Sequence, residues 1–429
     1  MDLTRREFLR FAARTGAALP LVLSPWSCAP LVITNDPDSG LSLGYVSGDV
    51  TSDGAIIWLR AEPGSQVCLH YGTDPSLADY ISLDPVAVEA DHDGTAKIQL
   101  KGLGPHTEYY YRAAVRGKKP GSIGRFVTAP NADSNEVVKF CFSGDTRESY
   151  QPFRIMDAIR ANAPDFFIHL GDTIYADRGG WTAQRLPEFW AKYRDNRADQ
   201  ASQRLLASTS AYIIWDDHEV ANDYEGFHPL GSVGRKAFFD YWPVGRNAGE
   251  PDRLYRSFRW GRALELFLLD GRQYRDHAHG TLLGGEQKEW LFDGLASSTA
   301  LFKCVATSVP FYGGGRDRWD GYPRERGEII QQIREKKING VFFISADLHY
   351  AAVTRLAGKL ALKDITTGPM AGPMNVIATG TSKRFEFFSN KTFNYGLITI
   401  DPKSTKPHAA VEILDENNGS LYKTTIEIR

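Results

Sequence analysis

Short apolar runs alternate with amphipathic segments between residues 136 and 349, and most of the apolar runs stop at an acid. The runs are EVVKFCFSGD, DFFIHLGD, SAYIIWDDHE, ALELFLLDGR, FKCVATSVP and NGVFFISADLH. Helical patterns separate them, such as QPFRIMDAIRANA, GRKAFFDYW, GEQKEWLFDGLAS and RERGEIIQQIREKK. This alternation predicts an α/β domain built in layers. In such folds, ligands bind beside the carboxyl ends of the strands.

The acids that end these runs carry the most information about function. They are Asp145, Asp172, Asp216 with Asp217, Asp270 and Asp347. A single aspartate in such a place is commonly a helix N-cap or a turn residue. Several carboxylates at one edge of a sheet repel one another, and their pKa values rise unless cations lie among them. The pattern therefore predicts a site for more than one metal ion.

The segments GDTIY, DDHEVAN and ADLH add candidate ligands to these acids, namely Tyr175, His218, Asn222 and His349. A phenolate beside a carboxylate favours a hard, highly charged ion such as ferric iron. Asp347 and His349 lie two residues apart at the end of a predicted strand, so their side chains point the same way. Two ligands of one ion need that arrangement.

The region before residue 136 has a different pattern. Residues 41–129 contain short strand-like runs separated by turn signals, which predicts a small all-β sandwich over residues 40–129. Its segment GLGPHTEYYYRAAV is similar to fibronectin-type and immunoglobulin-like domains, in which a tyrosine packs at a corner of the sandwich. The polar segment APNADSN predicts a linker, and a second domain is expected over residues 136–429.

The N-terminal segment TRREFLRFAARTGAALPLVL resembles a twin-arginine export signal within residues 1–30. Arg5 and Arg6 precede an apolar stretch too short to span a membrane by itself. Twin-arginine machinery moves folded proteins, so we expect a periplasmic or extracellular protein. An ordinary basic amphipathic helix is the alternative. Cys28 is a candidate lipid-anchor site, although Pro25 and Trp26 stand where a lipobox has small residues.

Charge and cysteine content exclude some other classes. The chain has 50 basic and 52 acidic residues, for a net charge of -2, and therefore lacks the basic field needed for bulk nucleic-acid binding. Its four cysteines are far apart and have no CxxC spacing. Three of them lie in apolar runs, where small core residues are expected.

Taken together, the motifs GDTIY, WDDHEVANDY, LYRSFRWGRALELFLLDGRQYR, LLGGEQKEWL and ISADLHY resemble the PhoD-like alkaline phosphatase/phosphodiesterase family. That family belongs to the calcineurin-like metallophosphoesterases, and the resemblance covers nearly the whole chain. It implies a metallophosphoesterase β-sandwich flanked by helices, with ferric and calcium ions and activity on phosphate mono- and diesters. By motif, the implied metal ligands are Asp172, Tyr175, Asp217, Asn222, Asp347 and His349.

Two positions depart from the family pattern. Where the family usually has Ser-Cys, with the cysteine a metal ligand, this chain has Gly144-Asp145. An aspartate there keeps a ligand but replaces a soft thiolate by oxygen, which favours hard ions such as Ca²⁺, Mn²⁺ or Fe³⁺. We expect Asp145 to lie near Tyr175 and His349. The last motif reads Ala346-Asp347 in place of Gly-Asp.

Metal ions in such a site hold phosphate oxygens and activate a water. Arg147 and, more weakly, Arg272 are candidate phosphate-binding residues, with structural salt bridges as the alternative. His218 is expected to orient a ligand or to donate a proton to the leaving group, and the alternative is a core histidine. We expect His169 to be a buried residue that supports the site and is not a metal ligand. Asp270 stays undecided.

Two other functions remain open from sequence. A purple-acid-phosphatase-like monoesterase would need the histidines of GNHE and GHxH motifs, which this chain lacks. An exported binding protein with a decayed catalytic domain is the other alternative, and the intact motif residues argue against it. The sequence leaves open the physiological ester, the metal at each position and the oligomeric state.

Overall fold

The computed structural model describes residues 37–357 and 362–428. The predicted export signal at residues 1–30 and the candidate lipid-anchor residue Cys28 lie outside this part of the chain. Within the two described ranges, no helix is long and apolar enough to cross a bilayer.

Strands and helices follow the alternation seen in the sequence. The strands are β1 (Tyr45–Gly48), β2 (Gly54–Arg60), β3 (Gln66–Gly72), β4 (Ile81–Ser82), β5 (Val86–Ala87), β6 (Thr95–Lys101), β7 (Glu108–Val115), β8 (Gly124–Val127), β9 (Val138–Ser143), β10 (Phe166–His169), β11 (Ser210–Ile213), β12 (Arg256–Trp260), β13 (Leu264–Leu268), β14 (Phe302–Ala306), β15 (Val341–Ser345), β16 (Ala351–Ala357), β17 (Leu362–Thr366), β18 (Phe385–Ser389), β19 (Asn394–Ile400), β20 (His408–Asp415) and β21 (Ser420–Glu427). The α-helices are α1 (Arg154–Ala161), α2 (Leu186–Arg197), α3 (Gln200–Ser208), α4 (Gly231–Tyr241), α5 (Gly284–Ser297) and α6 (Pro323–Glu335). Single 3₁₀ turns are Pro37–Ser39, Ala90–His92, Glu148–Tyr150 and Trp319–Gly321.

Two large mixed sheets form the body of the protein. The first has nine strands in the order β21-β20-β19-β9-β10-β11-β1-β2-β6, with β9, β10 and β11 parallel. The second has seven strands in the order β12-β13-β14-β15-β17-β16-β18, with β13, β14 and β15 parallel. Five of these six parallel strands are the ones that the sequence predicts to end in acids, and β14 is the exception.

The two sheets pack face to face around one core. Alternate residues of a strand point to one face, so Phe140 and Phe142 of β9 meet Phe302 and Cys304 of β14 in that core. Cys141, between the two phenylalanines, points outward and packs with α1 and α3. Helices α5 and α6 cover the outer face of the second sheet. The predicted β-sandwich flanked by helices is confirmed.

The N-terminal strands are divided between two sheets. The predicted tyrosine corner is present, because the backbone N–H of Gly104 donates to the Tyr109 hydroxyl at 2.8 Å. However, only β3, β4, β5, β7 and β8 form a sheet of their own. β1, β2 and β6 extend the nine-stranded sheet, where Gly48 of β1 lies beside Ala211 of β11. A Cβ atom on Gly48 would lie 2.6 Å from the Ala211 carbonyl oxygen, so glycine permits this close approach.

Apolar packing continues across the predicted boundary near residue 130. Ile57 of β2 and Phe126 of β8 belong to the same core as the two large sheets. The described residues also all fall in one compact unit by their contacts. The N-terminal strands thus support the sheet that carries the candidate site.

Candidate metal centre

Four residues at the strand ends have backbone angles in the left-handed region. The φ angle is +66° at Asp145, +51° at Asp172, +67° at Asp347 and +55° at His349. Residues other than glycine seldom adopt such angles, and those that do cluster at functional sites. Asp145 and Asp172 follow β9 and β10, and the other two follow β15. These turns bring side chains from both large sheets to one edge.

Asp145 is fully buried, and neither of its carboxylate oxygens has a hydrogen-bond partner among the described residues. Its Oδ1 atom lies 3.7 Å from Nε2 of His349. Burial, followed by the negative charges of Asp347 and Asp216, raises the pKa of Asp145 well above its usual value. A buried carboxylate without a partner is what a bound cation would satisfy, so these residues fit a metal ion.

The candidate ligands form adjoining groups whose members each offer an atom within 4.8 Å of the others. These groups are Asp145, Asp172 and His349; Asp172, Asp217 and His218; Asp216, Asp217 and Asp347; and Asp217, Asp223 and Asp317. Asp172 belongs to two of the groups, and its place suits a carboxylate shared by two ions. Burial, with Asp217 as the next cause, raises the pKa of Asp172 well above its usual value.

Tyr175 and His349 meet at the same place as Asp145. The Tyr175 hydroxyl lies 3.2 Å from Nε2 of His349, and Nδ1 of His349 lies 2.5 Å from the Pro373 carbonyl oxygen. Because a carbonyl only accepts, Nδ1 carries the proton and the Nε2 lone pair is left to bind a metal. Burial lowers the pKa of His349 to about 4, which keeps the ring neutral. The expected convergence of Asp145, Tyr175 and His349 is present.

His218 lies beside this group and is paired with a carboxylate. Its Nδ1 atom lies 2.5 Å from Oδ1 of Asp177, and its ring packs on that of Tyr175 with centroids 4.3 Å apart. Burial lowers the pKa of His218, but Asp177 and Asp217 outweigh burial, and the pKa lies above its usual value. The backbone N–H of His218 also donates to Asp217 at 3.0 Å. His218 is thus a half-buried histidine whose partners lie beside the candidate ligands.

Arg272 lies beneath the centre and does not reach its surface. It is fully buried, donates to Asp216, and donates to both oxygens of Asp317 at 2.7 and 2.9 Å. Burial raises the pKa of Asp217, but Arg272 and His218 outweigh burial and hold it well below its usual range. Arg272 therefore supports the carboxylates and is not accessible to a substrate.

Arg147 remains available to a ligand. Its backbone N–H donates to the Ala371 carbonyl at 2.7 Å, which fixes the chain beside Asp145. The guanidinium carbon lies 5.8 Å from the centre of the Tyr175 ring, and Nε has no hydrogen-bond partner among the described residues. The side chain is only partly buried. Arg147 is therefore placed at the mouth of the centre.

Asn222 is paired with an arginine in the structure. Its side chain is exposed, and its amide oxygen accepts a hydrogen bond from the Arg178 guanidinium at 2.6 Å. Its backbone N–H donates to Asp177 at 2.9 Å. Asn222 therefore stays a predicted metal ligand, and its amide oxygen would have to leave Arg178 to bind an ion.

Asp270 is buried but fully partnered. Its Oδ1 atom accepts from Nε1 of Trp215 at 2.7 Å and from the backbone of Gln273 at 3.0 Å, and its Oδ2 accepts from the Gln273 side chain. Asp270 is thus a turn residue. His169 is also buried, with Nε2 3.1 Å from the Thr146 hydroxyl, and it supports the site as expected.

Sequence reasoning missed several supporting residues. Glu219 is fully buried and accepts from the backbone N–H groups of Asp172 at 3.2 Å and Asp216 at 2.8 Å, so it joins two ligand loops. Its place as the glutamate of the DDHE motif was the only sign in the sequence that Glu219 matters. Arg318 donates to Asp347 at 2.7 Å from a glycine-rich loop that carries no periodic pattern. Asp177, which holds His218, follows the GDTIY motif by two residues.

The two departures from the family pattern touch each other. A Cβ atom on Gly144 would lie 2.7 Å from the Cβ atom of Ala346, closer than real Cβ contacts occur. Gly144 precedes Asp145 and Ala346 precedes Asp347. The missing side chain at one position makes room for the methyl group at the other.

Layered sheets flanked by helices, with an aspartate and histidine cluster at the strand ends, define a metallophosphoesterase. The fold agrees. It matches a structure described as PhoD with a TM-score of 0.78 and 21% identity, covering 91% of this chain and 94% of that one. It also matches purple acid phosphatase PPD1 from yellow lupin with a TM-score of 0.69 and 15% identity, covering 89% and 74%.

The PhoD-like phosphatase family model matches residues 140–406, and the model of the PhoD-like phosphatase N-terminal domain matches residues 27–130. The chain belongs to the PhoD-like phosphatase family and is a metal-dependent phosphoesterase. It is 26% identical to alkaline phosphatase D of Bacillus subtilis, over 82% of this chain and 72% of that protein. It is 23% identical to purple acid phosphatase 21 of Arabidopsis thaliana, over 57% of this chain and 50% of that protein. The relation to purple acid phosphatases is one of fold.

Proposed function

We propose that this protein is an exported phosphoesterase that hydrolyses phosphate mono- and diesters by attack of a metal-activated water. Its substrates are small or polymeric phosphate esters, and its location is the periplasm or the cell exterior. The buried acidic centre and the family support the reaction. The twin-arginine pattern at Arg5 and Arg6 supports export.

Asp145 is the observation that carries the proposed reaction. Its buried oxygens have no partner among the described residues and lie beside Asp172 and His349. An unpaired buried charge is costly, and a cation at this place removes that cost. The proposed ligands are Asp145, Asp172, Tyr175, Asp217, Asp347 and His349.

A ferric ion with calcium ions is the proposed metal content, and Mn²⁺ or another divalent ion is the alternative. The proposed ligands offer oxygen and nitrogen atoms, which hard ions prefer. Cys141, the nearest cysteine in sequence to Asp145, points into a separate apolar cluster with α1 and α3. If a ferric ion binds the Tyr175 phenolate, the protein is coloured and Tyr175→Phe bleaches it. A colourless, active enzyme would assign another metal to that position.

Metal ions bound here supply Lewis-acid chemistry, activating a water and neutralising charge on the phosphoryl oxygens. Residues of the chain supply the remaining steps. Asp177 holds the Nδ1 proton of His218, so in the protonated ring the Nε2 N–H is the one left to donate to the leaving oxygen. Arg147 has an unpartnered N–H and is proposed to bind a phosphoryl oxygen.

The reaction is tested by metal analysis of the purified protein, followed by assays on a panel of phosphate mono- and diesters. We expect more than one metal ion per chain, hydrolysis of members of the panel, loss of activity with a chelator and its return with metal. Protein that stays metal-poor and inactive after metal is supplied would favour the alternative of a binding protein with a decayed site.

Export is tested separately, by replacing Arg5 and Arg6 with lysine in the producing cell. The doubly substituted protein should stay in the cytoplasm, and unchanged export would refute the twin-arginine proposal. Cys28→Ala tests the lipid anchor. It should move the protein from the membrane fraction to the soluble fraction if Cys28 is lipidated.

A further inference from the structure

A second buried charge lies behind the metal centre, and it is positive. Arg197 ends helix α2 and is 3% exposed. Its Nε and both terminal nitrogens are buried without a hydrogen-bond partner, and it forms no ion pair with any residue in the described ranges. Burial lowers the pKa of Arg197 to about 9, which still leaves the guanidinium charged at neutral pH.

Two indole rings lie against this guanidinium. Its central carbon is 4.3 Å from the centre of the Trp58 ring and 4.9 Å from that of the Trp242 ring. Cation–π contacts offset part of the desolvation cost, yet an aromatic face does not accept the N–H donors at the edge of the guanidinium. The edge donors of Arg197 therefore still need an acceptor.

A cavity of about 20 Å³ has Arg197 in its wall. It is lined by Arg197, Asn196, Ser202, His169, Thr146 and Thr173, among others, and no lining residue carries a carboxylate. The acid nearest to Arg197 in sequence that is buried, Asp199, accepts from the backbone N–H groups of Ser202 and Phe153 and caps helix α3. The size admits about one water-sized particle and excludes a phosphate or a carboxylic acid.

A water in this cavity would partner the free oxygen of Asn196 but would bring no charge to Arg197. A cation in a dry interior without a counter-charge is costly, and a small anion removes that cost. We propose that the cavity is a halide site, holding chloride against the edge of the Arg197 guanidinium. The site is independent of the proposed reaction.

The site shares a wall with the metal centre. The side-chain amide of Asn196 donates to the carbonyl oxygens of Thr146, at 2.7 Å, and of Thr173. These threonines directly follow Asp145 and Asp172. Asn196, which also lines the cavity, thus joins the back of the two ligand loops.

The experiment compares thermal unfolding in sodium chloride, sodium bromide and sodium gluconate at equal ionic strength. We expect the wild-type midpoint to rise in the halides, in a saturable way, by roughly 2–4 °C. Arg197→Met removes the charge while keeping an apolar stem, and it should abolish the halide response. Arg204→Met is the matched control, because Arg204 pairs with Asp157 away from the cavity and its loss should leave the response unchanged.

Crystals of the wild-type protein soaked in bromide give a result that does not depend on a variant folding. An anomalous peak within about 3.5 Å of the Arg197 nitrogens supports the proposal. Equal midpoints in halide and gluconate, together with no bromide peak in the cavity, would overturn it and assign the cavity to water.

Discussion

The ends of β9 and β13 look alike in sequence and differ in the structure. Each strand is buried, and each is followed two residues later by an aspartate with no exposed surface, Asp145 and Asp270. Asp270 accepts hydrogen bonds from Trp215 and Gln273, whereas Asp145 accepts none from the described residues. Burial alone therefore does not mark a ligand. A buried carboxylate without a partner is the stronger sign, because a folded chain rarely leaves such a group unpaired without a use.

The largest loss of activity is expected from a change at Asp172. This residue follows β10, the strand beside β9, and is a proposed ligand like Asp145. Asp172→Asn removes the carboxylate shared by two groups of ligands and should lower activity by more than about 100-fold, since residues that merely orient ligands cost about 10–100-fold. Metal content should fall and the circular dichroism spectrum should not change. Wild-type turnover and metal content in this variant would contradict the assignment.

Asp145→Asn tests the unpartnered carboxylate itself. Activity should fall by at least about 10–100-fold, the cost of losing a residue that merely orients a ligand, and metal should be lost. The metal-free variant should nevertheless be more stable than metal-free wild type, by about 1 kcal/mol, because a buried charge is replaced by a neutral group of the same shape. Urea unfolding of chelated protein measures this difference. A destabilised metal-free variant would mean that Asp145 has a structural partner.

The pH dependence of the metal-free protein sharpens the same point. Burial raises the pKa of Asp347 to about 7, and those of Asp145 and Asp172 are raised well above their usual values. The folded protein then holds protons that the unfolded chain has lost. Its free energy of unfolding should fall between pH 4 and pH 7, by up to about 1.4 kcal/mol per pH unit for each proton. Metal-loaded protein should lose this dependence, and urea titrations at several pH values compare the two.

Gly144→Ser restores the serine that the family usually has, and it should place Cβ against the methyl group of Ala346. We expect destabilisation by about 1–3 kcal/mol. Adding Ala346→Gly should recover part of the loss, because the nearest remaining atom is then the Gly171 carbonyl oxygen at 3.3 Å. Equal stability of the single and double variants, by thermal unfolding, would show that the two sites are not coupled.

The smallest effect on chemistry is expected at the β13 end. Asp270→Asn keeps one acceptor for Trp215 but places an amide where Oδ2 accepts from the Gln273 side chain. Stability should fall by about 1 kcal/mol, with metal content and activity near wild type. A loss of metal in this variant would remove the distinction between the two strand ends.

Sequence patterns predicted the strands and the acids at their ends because both depend on local rules of burial and turn geometry. They missed helix α2, whose buried face includes Lys192, Asn196 and Arg197, so that its apolar periodicity is broken. The shared sheet at Gly48 and Ala211 was also missed, because pairing between strands 163 residues apart leaves no local signal.

Side-chain roles were predictable only where the motif alone determines them. Asp172, Tyr175 and His349 are brought together as expected. For Arg272 the structure agrees with the salt-bridge alternative, but its partner Asp317 lies on a loop 45 residues away, which no spacing rule connects. The contact between Asn222 and Arg178 was not predictable for the same kind of reason, since Arg178 lies on another loop.

The contact between Gly144 and Ala346 also constrains the order in which these two positions could have changed during evolution. A chain with the family's Ser-Cys and Gly-Asp pairs and a chain with this protein's Gly-Asp and Ala-Asp pairs differ at both contacting positions. If the methyl group at 346 came first, it would meet an existing side chain at 144, at the 2.7 Å separation found for their Cβ atoms. If the serine was lost first, the intermediate carried only a small gap. Only one order of substitution therefore avoids a clash: position 144 changes first, and position 346 changes second.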